Sequence, residues 1–511
     1  MGAVFATLFF VLGGCSSPGP AQGDLQKVNH IIIVMQENHS FDNYFGVLAY
    51  VSGGVYHGGP CSADDHQCVD GLTCTGKSNG DLNCANSNLD DDGSIVKAIH
   101  EPSRCVAPDL DHSWFGTHRE ANFVYPNRTL ANFLADGFVR SNDLTEQLDN
   151  GTENPTDDQT IDYFNQNDIP FYYDLAQKFA ISDRYFASLL GPTFPNRSYL
   201  MAATSFGHLT TSDALPPAGG YKPITGTIFD LFNKYGISWA DYFQDAPQAG
   251  SFLPNDPHFL PLLDFLAQAS GIPSADPLPQ VSFVDPAFGS EGTLLENDEH
   301  PPTDIQRGQA YVSQVVNAVR NGPYWKDSII FITYDEHGGF YDHAESAPAP
   351  QGGALTPDGI APGQCEDLSN PPASQQPGGG AECSYNFAGS ANTTLAEAEE
   401  LCPELTADPT GTYPANCANF NQLGIRVPFI AVSPFSKPGY VSHAVGDHTS
   451  LLALIERRFL TINGVTLHLT KRDEHANPLE DMFDFEHSPS LNTPLTEAEP
   501  PANDCTTLQL P

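Results

Sequence analysis

Two pairs of oxygen-bearing side chains stand nearly three hundred residues apart, each at the end of an apolar run. Glu37 and Asn38 follow Ile31-Ile32-Ile33-Val34, and Asp335 and Glu336 follow Ile329-Ile330-Phe331-Ile332. Hard carboxylate and amide oxygens converging in a crevice are what a divalent cation binds. A third segment, Gly191-Pro192-Thr193-Phe194-Pro195-Asn196-Arg197, lies between them. Pro195 suits the first turn of a helix, so Thr193 falls at or just before its start, where free N–H groups and the helix dipole stabilise an anion. Such a threonine is ordinarily a cap. Beside a bound cation it becomes a candidate nucleophile.

The paired runs must be positioned by the fold. Continuous Ile/Val/Phe runs suit strands buried on both faces of a parallel sheet, and such sheets take ligands just outside the carboxyl ends of their strands. Strand-like runs recur at 30–35, 237–240, 281–284, 328–334 and 427–432, with helical patterns at 305–320 and 448–460 between them. The alternation predicts an α/β fold: a doubly wound, mostly parallel sheet sandwiched by helices. We read 27–511 as one domain with insertions at about 51–110 and 344–422, stretches rich in Gly, Pro and Cys that lack periodicity. Asn83 to Gly93 is dense in oxygen ligands but lacks the spacing of an EF-hand, and reads as a solvated acidic loop.

The chain has 511 residues and 63 Asp and Glu against 21 Lys and Arg, a formal charge of -42. This opposes binding to nucleic acid or anionic lipid by general electrostatics. An anionic substrate must therefore meet a local cation, and no protein partner is expected. Residues 1–14 are apolar and read as an export signal, with Leu12-Gly13-Gly14-Cys15 resembling a lipobox; Cys15 is the expected lipidation site and 15–26 a linker. The body is expected outside the cytoplasm, as an envelope lipoprotein or secreted. Ten cysteines remain of eleven, suited to disulfides in an oxidising compartment. Cys61, Cys68, Cys74, Cys84 and Cys105 form a group of five, so if all are paired at least one bond leaves it, most simply to Cys505. A zinc site at Cys68, Cys74 and Cys84 is the competing reading, and lacks the usual thiolate spacing.

The segment Gln36-Glu37-Asn38-His39-Ser40-Phe41-Asp42-Asn43-Tyr44-Phe45-Gly46 resembles the N-terminal signature of the phosphoesterase family that unites bacterial phospholipases C with a respiratory-burst-inhibiting acid phosphatase, within the alkaline phosphatase superfamily. The Gly191–Arg197 segment resembles that family's nucleophile motif. Tyr334-Asp335-Glu336-His337-Gly338-Gly339-Phe340-Tyr341-Asp342-His343 resembles its second metal-binding motif, and Val427 onward to Asp447-His448-Thr449-Ser450 its C-terminal region. The resemblance covers roughly 27–460. It implies that Glu37, Asn38, Asp335, Glu336 and the Thr193 hydroxyl hold one divalent ion (Ca, Mg, Mn or Zn), that Thr193 attacks phosphorus, and that Asn38 and Asn196 contact substrate.

A leaving alkoxide needs a proton, and His112 and His300 sit in family-like contexts for supplying one. His337 and His448 read as partners that orient a ligand, and Phe41, Tyr44 and Phe45 as packing behind the first cluster. Threonine as nucleophile resembles the phospholipase C branch, which implies a phosphatidylcholine-like phosphodiester substrate. A broad acid phosphomonoesterase acting on small phosphate esters is the alternative, and a non-catalytic surface-binding lipoprotein a further one.

Overall fold

The two apolar runs are neighbours in a computed structural model that describes residues 25–498 and 501, except 79–80, 91–92, 102, 106–108, 122–134, 143–159, 209–210, 212–215, 290–295, 351–357 and 359–419. Eight strands form the central sheet: β1 (His30–Gln36), β2 (Ala180–Ser182), β3 (Trp239–Phe243), β4 (Phe259–Pro261), β5 (Val281–Val284), β6 (Ser328–Tyr334), β7 (Phe429–Val432) and β8 (Tyr440–Ser442). Their order is β8-β2-β7-β6-β1-β5-β3-β4. β7 runs antiparallel to both neighbours, and every other pairing is parallel.

The register of β1 on β6 runs from His30 opposite Ser328 to Gln36 opposite Tyr334. Glu37 and Asp335 therefore leave the sheet side by side, and a slip of one residue would separate them by about 3.3 Å. Successive strand residues point to opposite faces, yet β6 is buried throughout and β1 is buried from its second residue on. Both faces must be covered, and each fully buried Ile or Val contributes roughly 1.5–3 kcal/mol. The strands missed by sequence reading, β2, β4 and β8, have three residues each, too few to show a pattern.

The helices that bear on the site are α1 (Phe41–Phe45), α2 (Trp114–Glu120), α3 (Thr193–Ala202), α4 (Ile305–Arg320), α5 (His448–Phe459) and α6 (Lys471–His475). α5 packs on α3 and α6, whereas α4 packs with the helices at Pro170–Lys178 and Leu262–Ala269. No helix among the described residues is long and apolar enough to cross a membrane.

The first insertion is more ordered than its composition suggests. Cys74–Ser78 pairs with Asp81–Cys84, and Ser87–Leu89 with Ile95–Lys97, as antiparallel hairpins. Disulfides join Cys61 to Cys68 and Cys74 to Cys84, which removes the zinc reading of Cys68, Cys74 and Cys84. Cys105 is disulfide-bonded too, so its bond leaves the group. Within the 83–93 segment, 83–84 and Ser87–Leu89 are strand, and Asn88 is buried, its Nδ2 donating to Ala135 O at 2.9 Å and its Oδ1 accepting from the Val139 N–H at 3.3 Å. The second insertion is closed at its base, where the Ala349 N–H donates to Asn421 O and the Leu423 N–H to Ala347 O, both at 2.9 Å. Residues 1–24 with Cys15, and Cys365, Cys383, Cys402, Cys417 and Cys505, lie outside the described residues.

A buried ion network fixes how the strand-end segments meet. The fully buried Arg426 guanidinium donates from Nε to Asp342 Oδ1 at 2.9 Å and from Nη2 to Asp42 Oδ1 at 3.2 Å, and it bonds the carbonyls of Asp70 and Asp183 at 2.8 Å. His343 bridges Asp42 at 2.6 Å and Asp70 at 3.3 Å. Removing one member of such a network strands the other charges. Arg426→Met is expected to cost about 3–5 kcal/mol in urea unfolding; a loss below about 1 kcal/mol would show that the network does not hold these segments.

Candidate active site

Glu37, Asn38, Asp335 and Glu336 are buried together where β1 and β6 end. The Asn38 N–H donates to Asp335 Oδ1 at 3.3 Å, and the Glu336 N–H to the same oxygen at 2.7 Å. Glycine makes this closure sterically feasible. Gly338 has φ +64°, and a Cβ there would lie 2.3 Å from Asn38 O; Gly339 has φ +76°, and a Cβ there would lie 2.5 Å from Leu110 Cβ. The glycine pair thus lets two other loops, one carrying Asn38 and one carrying His112, press against the second acidic segment.

Helix α3 reaches the same acids through Arg197. Its Nε donates to Asp335 Oδ2 and its Nη2 to Glu37 Oε1, each at 3.0 Å. Residues four apart lie on one helix face, so the half-buried Thr193 stands one turn above this guanidinium, at the first position of the helix. Pro192, the N-cap, makes no side-chain cap bond. Asn196, read as a substrate contact, is engaged elsewhere: its Oδ1 accepts from Leu189 N at 3.0 Å, and its Nδ2 donates to Gly191 O at 2.7 Å and Pro192 O at 3.1 Å. Its amide shapes the loop that presents Thr193, which corrects that assignment.

The histidines enter from the other side. His112 and His300 have ring centroids 5.9 Å apart. Each anchors Nδ1 on a carbonyl, Leu110 O at 2.8 Å and Pro301 O at 2.7 Å. His112 Nε2 then lies 4.0 Å from Glu336 Oε1, and His300 Nε2 lies 3.9 Å from Asp109 Oδ2. Burial works against the charged imidazole, but Glu336 and Asp109 for His112, and Asp109 and Glu37 for His300, outweigh it and push both up to about 9. Trp114, at the start of α2, lies against the loop that precedes Thr193, since a Cβ at Gly191 would sit 3.3 Å from its ring.

Two further histidines hold the acids in place. His448 Nε2 bonds Asp335 O at 2.7 Å, and burial pulls this imidazole down to about 4, so it is neutral. His337 sits between Glu120 Oε2 at 2.7 Å and Glu336 Oε2 at 3.2 Å; burial opposes its charge, but Glu120 prevails and raises it to about 10. Glu120 and Arg197 were missed as members of this arrangement. Arg197 stood inside a quoted motif, but nothing local marks a helical arginine as the partner of two distant acids. Tyr44, read as packing, is buried as expected, yet its hydroxyl donates to Glu299 Oε2 at 2.6 Å.

Beside the Arg197 bridge, the oxygens left unsatisfied are of a kind a divalent cation binds. The fully buried Asn38 side chain has no hydrogen-bond partner on either Oδ1 or Nδ2, and Glu336 Oε1 has none either. Such orphaned groups are costly unless a ligand satisfies them. Burial, only partly offset by Arg197, also pushes the Asp335 carboxyl up to about 7, so a further cation would be needed to keep it fully ionised at neutrality.

A family model described as the phosphoesterase family matches residues 28–461. Among curated proteins, the chain is similar to non-specific phospholipase C4 of Arabidopsis thaliana, at 28% identity, with 93% of this chain and 74% of that protein covered. It is also similar to phospholipase C B of Mycobacterium tuberculosis (strain ATCC 25618 / H37Rv), at 27% identity, with 95% and 84% covered. Among solved structures, murine ectonucleotide pyrophosphatase / phosphodiesterase 5 matches at 11% identity and a TM-score of 0.30, over 62% of this chain and 95% of that one.

Gly338→Ala tests the closure of the two acidic segments. We expect a loss of about 1–3 kcal/mol in stability from the strained φ and the clash with Asn38. Unchanged stability would show that the contact is not required.

Proposed function

This chain belongs to the phosphoesterase family, and on that premise we propose that it is a metal-dependent phosphodiesterase of the phospholipase C type acting through Thr193. The observation that carries the reading is the meeting of three distant segments: Arg197, one turn below Thr193, binds both Glu37 and Asp335, while the buried Asn38 amide beside them lacks partners. Glu37, Asn38, Asp335, Glu336 and the Thr193 hydroxyl would hold the cation, which when bound lowers the pKa of a coordinated hydroxyl and neutralises phosphoryl oxygens.

The rest is chemistry of this chain's own groups. Thr193, its hydroxyl proton first lost to solvent, attacks phosphorus as the alkoxide, the bond from phosphorus to the glycerol oxygen breaks, and the leaving alkoxide takes a proton from the imidazolium of His300 or His112. The product is a phosphothreonine ester. Water then attacks phosphorus, gives its proton to the histidine left neutral by the first step, and releases the phosphorylated head group with Thr193 restored. The helix N-terminus favours the anion that develops beside Thr193. Phosphatidylcholine-like lipids are the proposed substrates, in line with the phospholipase C relatives, and a lipid on Cys15 would hold the enzyme at a bilayer in an exported location.

Thr193→Ala is expected to lower kcat on p-nitrophenylphosphorylcholine by at least about 10³-fold with the fold retained. Native-like turnover would remove the nucleophile. The native enzyme is expected to prefer this diester over p-nitrophenyl phosphate; the reverse preference would assign an acid phosphomonoesterase, and no turnover of either a binding protein. The imidazolium must be protonated to donate, so kcat should fall as pH rises through about 9 or somewhat below, because a bound cation weakens the carboxylate fields that raise both histidines. A rate that climbs steadily through this range would contradict acid catalysis by either histidine.

A further inference from the structure

A second cluster of ligating groups lies away from the site, where the C-terminal part of the chain folds back on α5. Glu456 lies on α5, eight residues and therefore about 12 Å along the helix from His448. His468 follows the small hairpin of Thr461–Ile462 with Val465–Thr466, and Asp473 stands in the first turn of α6. One ligating atom from each of the three lies within 4.8 Å of the others. Glu456 Oε2 is 2.8 Å from His468 Nδ1, and the fully buried Glu456 carboxyl lies within hydrogen-bonding reach of the Asp473 carboxyl, with Oε1 meeting no N–H or O–H donor. Asp473 is fully buried as well, its carboxylate accepting from the N–H groups of Leu469, Thr470 and Glu474 at 2.7, 2.8 and 3.1 Å.

The cationic side chains nearby are turned elsewhere. Arg472 binds Asp447 at 3.2 Å and Asp358 at 3.3 Å, and Lys471 pairs with Glu474 at the surface. Two buried carboxyl groups thus meet each other and one imidazole, a juxtaposition that either a shared proton or a bound cation must neutralise. We propose that Glu456, His468 and Asp473 form a structural site for a divalent transition cation such as zinc. Two carboxylates and one imidazole are a ligand set this ion accepts, and atoms at about 2.1 Å from one ion lie at most about 4.2 Å apart, a spacing that ligating atoms all within 4.8 Å of one another reach by small side-chain shifts. The ion would fasten the hairpin and α6 to α5. α6 in turn carries Arg472, which holds Asp447 at the start of α5, next to the histidine that supports Asp335. This inference stands whether or not the functional reading does.

The test uses Zn2+ alone with the full chain, stripped by a chelator and titrated calorimetrically. Asp335→Asn disables the first site, and the double variant Asp335→Asn/His468→Gln disables both. His468 is partly exposed, and glutamine retains a polar group, so folding should survive. The single variant is expected to bind one more zinc ion than the double variant, or to bind it at least about tenfold more tightly, and to gain thermal stability on zinc addition that the double variant lacks. Glu456→Gln in the Asp335→Asn background should behave like the double variant. Equal stoichiometry, affinity and thermal response in all three would overturn the proposal and leave a proton shared between Glu456 and Asp473 as the reason the two acids coexist.

Discussion

The bridge from Arg197 to Glu37 and Asp335 is the interaction on which the site depends. The parallel register of β1 on β6 delivers the two carboxylates to one place, but delivery alone would bury like charges against each other. A guanidinium presents a planar fork that can serve two carboxylates at once, which an ammonium does less well. Because the fork rises from α3, neutralising the acids also fixes the azimuth of that helix, and with it Thr193 at its first turn. Separate stretches of chain are brought together in this way: Arg197 on α3 bonds Glu37 and Asp335, and His112 Nε2 lies 4.0 Å from Glu336 Oε1.

The same device recurs at two other joints. Arg426 joins Asp42 to Asp342, and Arg472 joins Asp447 to Asp358, each arginine fully buried and each acid distant in sequence from its partner. A chain with 21 basic residues against 63 acidic ones places three of its arginines at points where strand-end segments converge. Buried pairs of this kind add little net stability relative to apolar contacts, yet they penalise any arrangement that separates the partners. In this protein they act on the loops around the carboxyl ends of the strands, where packing alone specifies least.

Much of the architecture was legible because burial leaves a pattern. The runs at 30–35, 281–284 and 328–334 became β1, β5 and β6, and the patterns at 305–320 and 448–460 became α4 and α5 with almost unchanged bounds. The paired acids were legible because they interrupt such runs abruptly. Short strands such as β2 left no period to read, and the hairpins around Cys74–Cys84 were hidden by a composition typical of loops. Partnerships across the fold were the least visible: Glu120 with His337, Tyr44 with Glu299 and Arg197 with two acids are set by tertiary geometry, to which neighbouring residues offer no guide. Asn196 shows the converse, a motif residue whose amide serves the loop backbone.

The central claim is that one cation is gripped by oxygens from both strand ends and lies against the Thr193 hydroxyl. Anomalous diffraction from crystals soaked in Mn2+ addresses it directly. The account predicts a single strong peak with oxygens of Glu37, Asn38, Asp335, Glu336 and Thr193 within roughly 2.0–2.6 Å. A peak elsewhere, or one from which the Thr193 hydroxyl stands well beyond bonding reach, would contradict it.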